Sequence, residues 1–210
     1  MKIAIIGTGN VGSALAQGWT AHGHEITFGS REPERDDVQA LVAKVGSRAR
    51  ATTITAAAAA APVVVLAVPW RAVETTVAEI DDWTDKILLD TTNPIASGLQ
   101  PLFGSDTSGA EEIARQADNA RVVKAFNTTG AENMANPDYD GQALTMFICG
   151  DNGQAKSTVT NLARDLGFEA ADVGDLSAAR LLESMALVWI RLASRQGLGR
   201  QIGFKLLRRQ

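Results

Sequence analysis

Short, mostly apolar runs punctuate the chain at Ile3–Ile6, Ile26–Phe28, Val63–Val68, Ile87–Leu89 and Arg121–Ala125, the last with a charge at Arg121 and at Lys124. Runs of this length without polar alternation suit strands buried on both faces, as a parallel sheet requires. Between them lie segments that read as helices: Asn10–Ala21, Pro33–Val45, Thr55–Ala61, Trp70–Ile80 and Gly109–Ala117. Such alternation implies right-handed strand–helix–strand crossovers and an α/β fold with a doubly wound, mostly parallel sheet. After residue 140 a strand-like Ala143–Cys149, a helix-like Gln154–Leu166 and a short strand near Phe168–Ala171 read as an extension of that sheet.

From Leu176 onward the pattern changes. Leu181, Leu182, Met185, Val188, Trp189 and Leu192 follow helical spacing, with apolar groups on the flanking faces as well. A helix apolar on more than one face needs more than one partner. A homodimer formed through this tail is therefore expected; the plainer alternative is a helix packed only on its own sheet. The chain divides accordingly into a nucleotide-binding unit, residues 1–174, and a small C-terminal helical segment, residues 175–210, as the dimer contact.

The uncharged stretch from Ala51 to Trp70 approaches the roughly 20 residues of a membrane span. Its first half is alanine and threonine, and Pro62 divides it, so a short helix followed by a buried strand is the expected reading. With 20 basic against 24 acidic groups, the net charge of −4 provides no general field for nucleic acid or an anionic membrane. Neither is expected as a partner, and any anionic ligand must be held locally. One cysteine, Cys149, excludes an internal disulfide and a multi-cysteine zinc site. Together with a start at Met1-Lys2-Ile3 that has no signal-peptide character, it points to the cytoplasm.

The first strand runs into Gly7-Thr8-Gly9-Asn10-Val11-Gly12 and then a helix. This is G-x-G-x-x-G in the strand-to-helix setting of a Rossmann-type nucleotide site. Gly7 permits the sharp turn, Gly9 leaves room for a pyrophosphate against the backbone, and Gly12 lets helix and strand pack closely. The helix N-terminus offers free N–H groups and partial positive charge to the phosphates. An NAD site usually carries Asp or Glu at the end of the second strand; here the strand ends Gly29-Ser30-Arg31. A hydroxyl and a guanidinium suit a 2′-phosphate, so the expected cofactor is NADP(H). The bland alternative pairs Arg31 with Glu32 or Glu34 on the surface.

The loops at the carboxyl ends of the remaining strands should complete the crevice: Ala67-Val68-Pro69-Trp70, Thr91-Thr92-Asn93-Pro94 and Ala125-Phe126-Asn127-Thr128-Thr129. Each offers backbone groups with a flat or polar side chain to a nicotinamide ring. A protein acid or base is harder to find. Position 143, four after Tyr139, is Ala, so no Tyr-x-x-x-Lys pair exists. His22 and His24 sit at the turn into the second strand, remote from the crevice, and no lysine occurs between Lys156 and Lys205. Lys124 reads as a strand lysine that caps an edge or pairs with an acid. No catalytic side chain is assigned. A small-molecule acceptor that takes hydride without protonation by the protein, such as a flavin or deazaflavin, fits that inventory.

With these residues in place the chain resembles the NADP oxidoreductases that depend on the deazaflavin coenzyme F420, and also the nucleotide-binding domain of the six-transmembrane metalloreductases. The residues that carry the likeness are the glycine turn, Gly29-Ser30-Arg31, Val68-Pro69-Trp70, Gly150-Asp151, Ser177–Leu181, Gly197-Leu198-Gly199 and Phe204-Lys205; Lys124–Thr128 looks more like the metalloreductase version. The resemblance implies a Rossmann fold, usually dimeric, with NADP held by the first three elements and Ser30 and Arg31 at the 2′-phosphate. It implies hydride transfer with F420, or another flavin, as co-substrate. Two alternatives stay open: an NADP-binding sensor or regulatory protein without turnover, and an imine or carbonyl reductase related to the pyrroline-carboxylate reductases, with water or a hydroxyl such as Thr128 as proton source.

Overall fold

In the computed structural model, which describes residues 1–209, each apolar run contributes a strand to one sheet. The strands are β1 (Lys2–Ile6), β2 (Glu25–Gly29), β3 (Ala49–Thr52), β4 (Val63–Leu66), β5 (Ile87–Asp90), β6 (Arg121–Lys124), β7 (Thr145–Gly150) and β8 (Glu169–Asp172). Among the described residues their order is β8-β7-β6-β5-β4-β1-β2-β3. Strands β3 to β6 run parallel, with Ile3 opposite both Ile26 and Val63. The expected extension is present but reversed: β7 pairs antiparallel with β6, Cys149 facing Lys124, and β8 then runs parallel to β7. Doubly wound α/β is thus the architecture, with the chain direction switching at one side.

Period-two alternation sends neighbouring residues of each strand into different cores. Ile3 and Ile5 of β1 meet Leu15, Trp19, Met134 and Leu162 on one face, whereas Ala4 and Ile6 meet Ala57, Val77, Ile113 and Leu182 on the other. The first layer is built by α1 (Asn10–Ala21), α2 (Asp36–Val45), α6 (Ala131–Ala135) and α7 (Gly153–Asp165). The second contains α3 (Ile54–Ala59), α4 (Val73–Ala78), α5 (Gly109–Gln116) and α8 (Ala179–Ile190). Local sequence sets several helix starts. Ser108 accepts from Glu111 N at 3.2 Å and donates to its carboxylate at 2.7 Å, and Asn152 accepts from Ala155 N at 2.9 Å.

The uncharged stretch resolves into the end of β3, α3 and β4, and among the described residues no helix is long and apolar enough to cross a membrane. Leu182 and Trp189 of α8 are buried, while Leu181 is 71% and Val188 50% exposed. The final segment returns across the sheet end. Ile202 O accepts from Asn133 Nδ2 at 2.7 Å and Trp189 Nε1 at 2.8 Å, and Phe204 O accepts from Thr145 N at 2.9 Å. His24 bonds Asp165 at 2.9 Å at the amino end of β2, opposite the end that carries the glycine turn.

Candidate active site

The glycine turn joins β1 to α1 at the carboxyl edge of the sheet. Gly7 has φ +121°, where L side chains are rare, and a Cβ there would lie 2.2 Å from Ala67 O. A Cβ on Gly12 would lie 2.1 Å from Gly7 O, which explains why α1 can rise so close to the strand it leaves. Gly9 differs: a Cβ there would meet nothing within 4 Å. Packing does not require glycine at that position. Asn10, Val11 and Gly12 form the first turn of α1, which carries neither a side-chain cap nor an acidic residue. Its first amides have no side-chain acceptor among the described residues.

Beside this turn a cavity of about 390 Å³ gathers Gly7, Thr8, Ser30, Arg31, Val68 and Pro69 from the residues expected on sequence. Ile54, Ala72 and Thr76 complete one wall, and Arg35 adds a second guanidinium. Arg31 forms no ion pair among the described residues. The surface pairing considered for it belongs to Arg35, whose Nε lies 2.5 Å from Asp37 and whose Nη1 lies 3.9 Å from Glu32. The hydrogen bond and charge of Asp37 raise the Arg35 pKa. Arg35 follows Arg31 by four residues, but sequence pattern alone gave no reason to bend the loop back into the cavity. A larger depression, about 790 Å³, lies between β8 and Lys205–Arg208 at the far sheet edge and shares none of these residues.

The other half of the expected site is arranged differently. Trp70 opens a 3-10 turn and its ring meets Phe103 edge-on at 5.5 Å; a Cβ on Gly109 would lie 2.8 Å from that ring. Trp70 therefore packs against the start of α5 and is not among the residues lining the cavity. Phe126 requires a correction. Its ring is 1% exposed and packs edge-on against Trp19 at 5.8 Å and Phe168 at 6.1 Å. Buried in the first core, it cannot present a face to a second ring, and it is not among the residues lining the cavity. That backbone has φ +61°, an uncommon conformation for a bulky residue, at the point where β6 leaves the sheet. Ala125 is fully buried next to it. Asn127 Nδ2 donates to Asn93 Oδ1 at 3.0 Å and to Leu182 O at 3.1 Å, while Asn93 Nδ2 donates to Asn127 O at 2.9 Å. The Asn127 Oδ1 is buried and has no partner.

Lys124 does pair with an acid, and with two. Its ammonium is buried at the end of β6 between Asp90 at 2.8 Å and Glu183 at 2.9 Å. Burial works against its charge, but the two carboxylates outweigh it and raise the pKa. Neighbouring Cys149 is no nucleophile: burial pushes its thiol up to about 12. Of the remaining expected groups, His22 Nδ1 donates to Gly18 O at 2.9 Å within its own helix end, and His24 bonds Asp165.

Comparison with known proteins adds independent findings. Residues 2–94 match a family described as NADP oxidoreductase, coenzyme F420-dependent. The F420-dependent NADP reductase of Methanothermobacter thermautotrophicus is 34% identical over 209 residues, covering 91% of this chain and 89% of that protein. Rat metalloreductase STEAP3 is 30% identical over 187 residues, 89% of this chain, which spans only 36% of that longer protein. A crystal structure from Arthrobacter sp. FB24, assigned as an F420-dependent NADP-reductase, superposes with a TM-score of 0.88 at 31% identity, covering 99% of this chain and all of that one.

Proposed function

The chain belongs to the family of F420-dependent NADP reductases, and on that premise we propose that it moves a hydride between the nicotinamide of NADP(H) and the deazaflavin ring of coenzyme F420. The observation that carries the reading is the cavity lined by Gly7 and Thr8 of the turn that leads into the uncapped α1, together with Ser30, Arg31 and Arg35. Phosphate chemistry suits both ends: helix amides at one, guanidinium groups at the other.

The two cofactors supply the redox chemistry, hydride leaving the dihydronicotinamide and adding to a deazaflavin ring carbon while water provides the proton. This chain holds and orients. Gly7, Thr8, Gly9, Asn10, Val11 and Gly12 take the pyrophosphate; Ser30 and Arg31, joined by Arg35, take the 2′-phosphate. Val68 and Pro69, which line the cavity, border the nicotinamide; the loops after β5 and β6 complete that border with backbone and Asn127, and Trp70, Ala125 and Phe126, packed away from the cavity, hold those loops from behind. Proximity and orientation of two rings account for the catalysis, so no acid or base is needed from the protein.

A second copy of the chain completes this reading by covering α8, residues 175–210 supplying the contact. Exposed Leu181 and Val188, seven residues apart on one face, support it. The test is steady-state oxidation of NADPH and NADH with F420, free flavins, quinones and cyclic imines. NADPH with F420 is the pair expected to turn over. Arg31→Glu should weaken NADPH by about 10- to 100-fold relative to NADH, the worth of a charge-assisted phosphate contact. An unchanged preference would remove Arg31 from the site, and NADPH binding without turnover on any acceptor would replace the enzyme with a sensor.

A further inference from the structure

The carboxyl ends of β5 and β6 hold a buried charge that hydride transfer does not use. Lys124 is 0% exposed, and its three N–H donors are all taken: by Asp90 Oδ2 at 2.8 Å, Thr92 O at 2.7 Å and Glu183 Oε1 at 2.9 Å. None is left for a ligand. The carboxylates are satisfied as well. Asp90 Oδ1 accepts from Thr92 N at 2.8 Å and from its hydroxyl at 2.7 Å. Glu183 accepts from the amides of Gly109 at 3.0 Å and Ala110 at 3.2 Å, where the start of α5 offsets the surplus negative charge. Stability is a weak reason for such a cluster, because buried ion pairs are often matched by apolar residues of similar volume.

What an apolar cluster would not do is hold a backbone carbonyl in place. The ammonium fixes Thr92 O, and the next residue, Asn93, exchanges side-chain amide bonds with Asn127. Asn127 Nδ2 also donates to Leu182 O, and Glu183 follows directly, so α8 grips the end of β6 and the loop after it through two consecutive residues, and reaches β5 through Lys124 and Asp90. We propose that Lys124 is a positioning residue, the pivot through which α8 sets the two loops that border the nicotinamide. The inference rests on the NADP reading above and assigns the Lys124–Glu183 bond a role in ring placement, separate from the adenine end of the site.

The decisive comparison uses the full chain with Glu183→Gln, which removes the charge but keeps the length of the side chain. A control, Glu111→Gln, breaks a separate tie of α8, the Arg180–Glu111 pair at 2.5 Å, which includes no member of the Lys124 cluster. Binding of NADPH and of adenosine 2′,5′-bisphosphate, which lacks the nicotinamide, is measured beside turnover with F420. Glu183→Gln is expected to lower kcat by about 10- to 100-fold, the cost of slight misplacement of reacting groups, and to weaken NADPH while leaving the bisphosphate within about twofold. The control should leave all three within about twofold. Asn93→Ala, at a half-buried position beyond the ion cluster, should reproduce the signature if Glu183→Gln does not fold. Equal weakening of both ligands, or unchanged kcat in the folded variants, would overturn the proposal. A wild-type chain that binds neither ligand would overturn the NADP reading itself, and the positioning role with it.

Discussion

Gly9 and Gly12 stand three residues apart and separate what the fold needs from what the ligand needs. At Gly12 a Cβ collides with Gly7 O; at Gly9 the backbone is extended, with φ −78° and ψ −168°, and the space above is open. Gly9→Ala should therefore fold with a melting temperature close to wild type yet lose NADPH affinity, because its methyl group takes phosphate space. Gly12→Ala should lose both, since backbone must shift to admit it. Calorimetric melting and NADPH titration of the pair check this, and Gly9→Ala with normal affinity would place the pyrophosphate elsewhere. These glycines were legible in the sequence because their reason is local. Arg35 and the Lys124 cluster were not: Lys124 and Glu183 are 59 residues apart, and only the docking of α8 brings them together. The burial of the Phe126 ring was hidden for the same reason, since its partners Trp19 and Phe168 lie far from it in the chain.

At the scale of elements, α1 begins at Asn10 and ends at Ala21 as its apolar spacing indicates, and the five apolar runs form strands in the expected parallel register. β3 escaped notice. Its sequence, Ala49-Arg50-Ala51-Thr52, has no apolar run because it closes one side of the sheet and is only partly buried. The direction of β7 was also hidden, as burial pattern does not distinguish parallel from antiparallel pairing. α8 carries its own internal contrast. Trp189 is 5% exposed and donates to Ile202 O, tying the final segment to the helix, whereas its neighbour Val188 faces outward. Trp189→Ala is expected to cost about 3–5 kcal/mol in urea unfolding. Val188→Ala should change the stability of the subunit by no more than about 0.5 kcal/mol. Comparable losses at both positions would mean that Val188 is already covered within the subunit.

For the molecule as a whole, the modest net charge provides no general attraction for an anionic cofactor, and the outer face of α8 exposes Leu181 and Val188. Leu181→Glu should turn a dimer into a folded monomer in light scattering after gel filtration; a wild-type chain that is monomeric at micromolar concentration would contradict the dimer. The central claim, that hydride passes directly between NADPH and a deazaflavin held in this crevice, is tested most directly by isotope transfer. The chain is mixed with NADPH deuterated at the transferable C4 position and one equivalent of oxidised F420, and the reduced product is analysed by mass spectrometry. Deuterium should appear in the reduced deazaflavin in step with NADPH consumption. NADPH that stays bound and unoxidised, or reduced F420 that carries no deuterium, would contradict it.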